Sequence, residues 1–143
     1  MHDTVLALLE AHGHKDTFLL GYSVGMVDWS FEIRAKEGST GFSRPLAISR
    51  IGQHISMAHY TKSEYDIDYD PWVTFAVHPE GWKPVAIYRW YSGDLKVDTQ
   101  DGISIKDATD IVADWSRDLL QNGYNDLEMG YLVLLLNRTA SKL

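Results

Sequence analysis

Apolar and polar residues alternate most clearly between Val27 and Arg34, where every second residue is apolar. This period of two predicts a half-buried β-strand. The apolar segments that follow are separated by Gly or Pro, which supply the backbone angles of tight turns, so they predict a β-meander. The predicted strands of this meander are Ser43–Arg50, Gln53–Tyr60, Trp72–His78, Trp82–Tyr91 and Leu95–Asp98.

Helical spacing replaces the alternation near both ends of the chain. Apolar residues within Val5–Leu9 predict a short helix that ends at Gly13. Ser104 resembles the first residue of a capping box, and the apolar positions within Ala108–Leu119 predict an amphipathic helix after it. The segment Tyr131–Leu136 fits either a last helix or a strand.

These elements predict the fold class. A chain of 143 residues with 45% hydrophobic residues has the usual length and composition of one domain. We expect a single α+β domain over residues 1–143, with an antiparallel meander sheet of about five to six strands. The sheet should pack against an N-terminal helix and one or two C-terminal helices.

Charge narrows the class of partner. Twenty acidic and thirteen basic residues give a net charge of −7, which opposes direct binding to nucleic acid or to an anionic membrane. A protein with a basic surface is the expected partner, and a second copy of the chain is the alternative. The sequence has no cysteine, no apparent signal peptide and no apolar run long enough to span a bilayer. We therefore expect a cytoplasmic protein.

A short acidic segment, Glu64–Asp70, alternates carboxylates with apolar side chains. Its aspartates resemble the start of a calcium loop, but Pro71 and Val77 stand where that loop needs glycine and a bidentate acid. The segment is either a solvated loop or an acidic recognition surface with aromatic anchors. The candidate partner-binding residues are Glu64, Tyr65, Asp66, Asp68, Tyr69, Asp70 and Trp72.

Four aspartates, spaced three, four and four residues apart, line one side of the second predicted helix. Like charges at this spacing repel by a few tenths of a kcal/mol per pair, so this acidic stripe destabilises the helix locally. The stripe is either a solvated outer face or a second docking surface for a basic partner. Its members, also candidate partner-binding residues, are Asp107, Asp110, Asp114 and Asp118.

Catalytic and metal motifs are weak in this sequence. Gly21–Gly25 matches G-x-S-x-G, but the alternation after it predicts a strand where a nucleophile elbow needs a helix. We interpret it as a hairpin turn after a strand at Phe18–Tyr22. No pair of the six histidines has standard zinc spacing, and His54 and His59 should point to opposite faces of one strand. We expect no catalytic residues, no metal and no cofactor.

Several segments carry a family resemblance. They are ISMAHY at Ile55–Tyr60, DPWVTFAV at Asp70–Val77, GWKP at Gly81–Pro84 and the helix end at Trp115–Tyr124. In this order they resemble an uncharacterised family of small bacterial proteins carried by plasmids and phages. The chain departs from that family in the acidic segment, where an Asn-Gly is usual, and in a longer C-terminal segment. The resemblance implies no known activity. It marks His59, Tyr60, Asp70, Pro71, Trp82 and Pro84 as positions of interest.

Together these features predict a non-enzymatic, acidic protein-interaction module, such as an inhibitor or accessory protein encoded by a mobile element. The alternative is a small ligand- or metal-binding domain or an enzyme. Its site would lie on the sheet, where His54 or His59 meets the carboxylates of Asp66–Asp70.

Overall fold

The computed structural model describes residues 1–15 and 28–135 and shows an α+β fold. Within these residues, two helices pack against one antiparallel seven-stranded sheet. The elements are α1 (His2–Ala11), β1 (Trp29–Ala35), β2 (Leu46–Ile51), β3 (His54–Lys62), β4 (Ile67–His78), β5 (Gly81–Arg89), β6 (Gly93–Lys96), α2 (Ile105–Gln121) and β7 (Gly130–Leu135). The predicted strand at Phe18–Tyr22 and the pattern at Gly21–Gly25 lie outside the described residues.

The sheet follows the predicted meander and then adds one strand. Its order is β6-β5-β4-β3-β2-β1-β7, so strands β2 to β6 are sequential antiparallel neighbours. The last strand pairs with the free edge of β1, from Ser30 opposite Leu135 to Ala35 opposite Gly130. The expected five to six strands were therefore too few for the described residues. Of the one or two expected C-terminal helices, the described residues form one, α2.

The core lies between the helices and one face of the sheet. Alternate residues of the central strands point into it, and Phe31, Ile55 and Phe75 are completely buried. Val5, Leu8 and Leu9 of α1 cover part of this face. Burial of each large apolar side chain contributes roughly 1.5–3 kcal/mol, so this core is a main source of the stability of the fold.

The amphipathic pattern of α2 is confirmed. Ser104 caps its N-terminus, because the side-chain oxygen accepts a hydrogen bond from the backbone N–H of Asp107 at 3.1 Å. The helix ends before Gly123, whose φ of +87° lies in the left-handed region. Its buried stripe, Ala108, Val112, Trp115 and Leu119, joins the core.

Two β-bulges decide which side chains reach each face. His59 on β3 lies opposite both Asp70 and Pro71, since Ala58 pairs with Trp72 and Tyr60 pairs with Tyr69. A second bulge at Val85 lies between the pairs Thr74–Ala86 and Phe75–Pro84.

The second bulge changes the orientation of one tryptophan. Strict period two along the predicted strand places Trp82 and Tyr88 on the same face. Because Val85 is an extra residue, Trp82 instead packs in the core against Phe75, while Tyr88 lies on the opposite face.

Candidate recognition groove

The sheet face opposite α1 and α2, here called the helix-free face because no helix of residues 1–15 and 28–135 lies on it, carries small side chains at its centre. Thr74 and Ala86 pair across β4 and β5 on this face, because their neighbours Val73, Phe75 and Ile87 point into the core. Small side chains leave room above the backbone that larger ones would fill. Further members of this small-residue floor on β2 and β3 are Ala47, Ser49, Ser56 and Ala58.

A groove of about 1210 Å³ lies over β4, β5 and β6 on this face. Thr74 and Ala86 form its floor, Trp72 and Tyr88 rise beside them, and Asp94 lines it from the edge strand. Small-molecule pockets usually have volumes of about 300–1,000 Å³. The size and the open edge therefore suit an extended chain segment.

Aromatic rings give the groove its apolar surface. Trp72 remains 41% exposed, and its ring centroid lies 5.0 Å from that of Tyr69. The Tyr69 ring in turn lies 6.1 Å from that of Tyr60 on the neighbouring strand. Trp90, just beyond β5, is 74% exposed. Exposed Trp and Tyr side chains are the commonest anchors of protein recognition, because they bury much area with few rotamers.

The carboxylates of the groove differ in their surroundings. Asp70 accepts a hydrogen bond at 2.9 Å from Nε of Arg89, and its backbone carbonyl accepts one at 2.6 Å from Arg44. These contacts hold Asp70 within the fold. Asp68 and Asp94 are exposed and line the groove, so they are better placed to meet a ligand.

The remaining residues of the acidic segment form the turn between β3 and β4. Tyr65 at its tip is 91% exposed. Asp66 shapes the turn, because its carboxylate accepts the N–H of Ile67 at 2.8 Å and its carbonyl accepts the N–H of Ser63 at 2.9 Å. Residues 63–66 form this turn, whereas residues 67–70 belong to strand β4. Glu64 and Asp66 thus extend the acidic surface beyond the groove.

The acidic stripe lies on the opposite side of the molecule from the groove. Asp107, Asp110, Asp114 and Asp118 are all exposed on α2, whose other side covers the core. Lys106 forms an ion pair with Asp110 at 2.9 Å, and Arg117 one with Asp114 at 2.8 Å. Exposed pairs of this kind contribute little to stability. The two sets of acidic residues are therefore separated by the sheet and the core.

His59 lies in the core and is part of the fold, not of the groove. Its Nε2 accepts a hydrogen bond at 2.8 Å from Nε1 of Trp115 on α2. Its Nδ1 then carries the proton and donates to the carbonyl of Pro45 at 3.2 Å. Burial lowers the pKa of His59 to about 4, so the ring is neutral at pH 7. His54, on the same strand, lines the groove on the other face, as the alternation predicts.

The structure therefore tests the geometry of the alternative His/Asp site. His54, Asp68 and Asp70 line the same groove, whereas His59 faces the core and does not join them. Among residues 1–15 and 28–135, no three His, Asp or Glu side chains are placed to bind a metal ion together.

A buried polar cluster on the helix-free face was missed from the sequence. Glu32 is only 6% exposed and accepts a hydrogen bond at 2.7 Å from Nη2 of Arg34. Burial and a hydrogen bond to Glu32 raise the pKa of the Tyr60 hydroxyl to about 12. Alternation alone identifies Glu32 only as an outward-facing residue of β1. Its hydrogen bond with Tyr60, which lies on β3, cannot be predicted from the local pattern of β1.

The positions marked by the family resemblance divide between the two faces. His59, Trp82 and Pro84 contribute to the core side of the sheet, while Tyr60 and Asp70 contribute to the helix-free side. Comparison with known proteins adds no further assignment, because no protein-family model, curated protein or solved structure matches the chain significantly. None of the helices in the described part of the chain is both long and apolar enough to cross a membrane.

Proposed function

We propose that the protein is a non-enzymatic interaction module that holds a basic segment of a partner protein in the groove of the helix-free face. The observation that carries this proposal is the exposed Trp72 beside a floor of small residues, with Asp68 and Asp94 lining the same groove. An aromatic anchor gives affinity, and carboxylates select for positive charge. The contact surface includes the neighbouring turn, so its predicted members are Glu64, Tyr65, Asp66, Asp68, Tyr69, Asp70 and Trp72.

The acidic stripe on α2 has a different part in this proposal. It lies across the core from the groove, so one rigid partner surface does not cover both. The one aromatic residue of α2, Trp115, is buried in the core, so α2 has no exposed aromatic ring beside these carboxylates. We assign the stripe to long-range attraction of a basic partner, which mainly changes the association rate and weakens with salt. The stripe residues are Asp107, Asp110, Asp114 and Asp118.

A module of this kind suits an inhibitor or accessory protein of a mobile element, which is the setting that the family resemblance implies. Such a protein would act in the cytoplasm by covering a basic surface of its target. It needs no cofactor, no nucleic acid and no membrane for this activity. A second copy of the chain is the competing occupant of the groove, and sedimentation of the free protein at several concentrations distinguishes it from a foreign partner.

The test compares fluorescently labelled peptides of equal length that are basic, neutral or acidic. We expect the basic peptide to bind selectively, and more weakly as salt rises. Trp72→Ala should weaken binding by about tenfold or more, as is usual for a central aromatic anchor. The matched control is the double variant Asp110→Asn/Asp114→Asn, which removes two charges from the opposite side and should leave the dissociation rate nearly unchanged.

Two results would contradict the proposal. Equal binding of the neutral and basic peptides would remove the role of the carboxylates. An equal loss of affinity in Trp72→Ala and in the α2 double variant would show that net charge, not the groove, determines binding. Circular dichroism of each variant establishes that the fold is retained, which we expect because these side chains are exposed or half-exposed.

A small-molecule ligand is the second candidate, favoured by one observation. His54 and Asp68 line opposite ends of the groove, because His54 lies opposite Ala76 and Asp68 lies opposite Thr61, seven residues further along β3. A ligand that contacts both would therefore have to be elongated. Thermal unfolding with added divalent metal ions or a library of small metabolites tests this alternative. A ligand that raises the melting temperature of the wild type but not of His54→Ala would support it.

A further inference from the structure

We infer that the groove selects arginine over lysine in the basic segment, by placing the guanidinium on an aromatic surface beside Asp94. This inference rests on the proposed function and names the chemical group that the groove recognises. The register of β4, β5 and β6 provides the geometry for this contact. Trp72, Tyr88 and Asp94 lie directly opposite one another on β4, β5 and β6, and they form one transverse row on the helix-free face.

The neighbouring row of side chains is small enough to leave space for the guanidinium. Thr74 and Ala86 are its members on β4 and β5, and both line the groove. A flat group can therefore lie over these small residues and contact the rings of the first row from the side. Strands are spaced about 4.8 Å apart, so the row from Trp72 to Asp94 spans about 10 Å. A guanidinium on the rings is thus within reach of the carboxylate at the edge strand.

Planarity favours arginine in this geometry. A guanidinium stacks on an aromatic face while its N–H groups donate to a carboxylate in the plane of the group. A lysine ammonium is compact and strongly hydrated, so it does not make both contacts in the same way. Both cations are attracted by Asp94 and by aromatic rings, but only the planar guanidinium can stack on a ring while its in-plane N–H groups donate to the carboxylate.

The molecule contains an intramolecular example of this arrangement close to the groove. The guanidinium carbon of Arg89 lies 5.3 Å from the centroid of the Tyr91 ring. The Nε of the same side chain donates to the carboxylate of Asp70 at 2.9 Å. One arginine of this chain is thus already held between an aromatic ring and a carboxylate at the end of β5.

Arg44 and Lys96 both line the groove and oppose a bound cation. Arg44 is held near Asp70, whose carbonyl accepts its hydrogen bond, so Lys96 is the cation on the Asp94 side. It lies on the same edge strand as Asp94, opposite Ala86, and lines the groove. Its ammonium is exposed on a flexible stem, so water and salt screen its repulsion. Because it is a cation, Lys96→Met should strengthen binding of any basic peptide, whether the peptide carries arginine or lysine.

The test uses three peptides that differ at a single position, which is arginine, lysine or the neutral isostere citrulline. We expect the arginine peptide to bind about tenfold more tightly than the lysine peptide, and the citrulline peptide to bind most weakly. Asp94→Asn should remove most of the preference for arginine over citrulline. The control Asp110→Asn removes the same charge from α2 and should preserve that preference.

The outcomes separate this inference from the proposed function. Equal affinity for the arginine and lysine peptides would overturn the guanidinium assignment while the basic-segment function stands. A preference for arginine that Asp94→Asn and Asp110→Asn reduce equally would also overturn it, because the determinant would then be net charge. Absence of binding by both basic peptides would overturn the proposed function as well.

Discussion

The hydrogen bond between Trp115 and His59 predicts a specific dependence of stability on pH. It joins α2 to β3 in the core, where His59 is 5% exposed. The Nε2 atom accepts this bond only while it is unprotonated. Protonation of Nε2 would place its N–H against the indole N–H of Trp115 in the core. The perturbation is therefore acidification, and His59→Gln is the matching variant, because an amide oxygen accepts the indole N–H without titrating.

The magnitude follows from the pKa of His59, which burial lowers from 6.5 to about 4 in the folded protein. Above pH 6.5 the ring is neutral in both the folded and the unfolded states, so stability does not change with pH through this group. Below it, the unfolded state binds a proton that the native state excludes, and the free energy of unfolding falls until about pH 4. The total loss is roughly 3 kcal/mol, a large part of the usual stability of a domain.

The assay is urea denaturation followed by circular dichroism at several pH values between about 4 and 7. Carboxylates also titrate near the lower limit, so the informative quantity is the difference between the wild type and His59→Gln. We expect this difference to change by roughly 3 kcal/mol over the window, with the variant gaining relative stability as the pH falls. The matched control is His54→Gln, which removes an exposed histidine of the same strand and should leave the profile of the wild type unchanged.

Parallel profiles for the wild type and His59→Gln would refute this reasoning. They would show that His59 takes up its proton in the folded state as readily as in the unfolded chain. The same result would contradict the assignment of the His59 proton to Nδ1, which is based on the hydrogen bonds with Trp115 and Pro45. A second measurement, the NMR titration of the His59 ring, gives the folded pKa directly.

Three further substitutions test other parts of the structure by chemical denaturation. Ser104→Ala removes the N-cap of α2 and should cost about 1 kcal/mol, whereas Thr109→Ala, on the exposed side of that helix, should be neutral or slightly stabilising. Gly130→Ala should cost roughly 1–3 kcal/mol, because its Cβ would lie 2.5 Å from the Phe42 ring and 2.8 Å from the carbonyl of Arg34. Asp118→Asn should stabilise α2 by a few tenths of a kcal/mol, because it removes a negative charge near the C-terminus of the helix; a loss of stability would contradict the dipole argument.

Local signals explain the parts of the fold that the sequence predicts well. The N-terminal helix and α2 have helical spacing, and α2 also has its capping serine. The turns of the meander contain or adjoin Gly or Pro, except the acidic turn between β3 and β4. These features act over a few residues, so pattern reasoning finds them. The ambiguous segment Tyr131–Leu136 lacks such a signal, and pairing with β1, far away in the chain, decides that residues 131–135 form a strand.

The candidate groove also depends on residues that are distant from one another in the sequence. The exposed aromatic and acidic residues near Trp72 are visible as composition, but the groove requires Asp94 and Ala86 from two later strands. The extra residue Val85 reverses the face of Trp82, and nothing in the local pattern marks it as a bulge. The core role of His59 depends on Trp115, 56 positions later in the chain. Contacts between distant strands and helices therefore determine the groove, the face of Trp82 and the role of His59, and local spacing does not predict them.

The position of β7 has a consequence for synthesis of the protein. Ile33 of β1 pairs with Leu132, so one edge of the sheet stays open until the ribosome has translated roughly a hundred further residues. At ordinary rates of elongation this takes about 5–20 s, during which β2 to β6 can already pair as successive hairpins. The open edge of β1 carries Phe31 and Ile33, and an unpaired apolar edge recruits strands from other chains. Nascent chains on one polysome therefore expose the β1 edge throughout this interval, until β7 covers it and becomes the terminal strand on that side of the sheet.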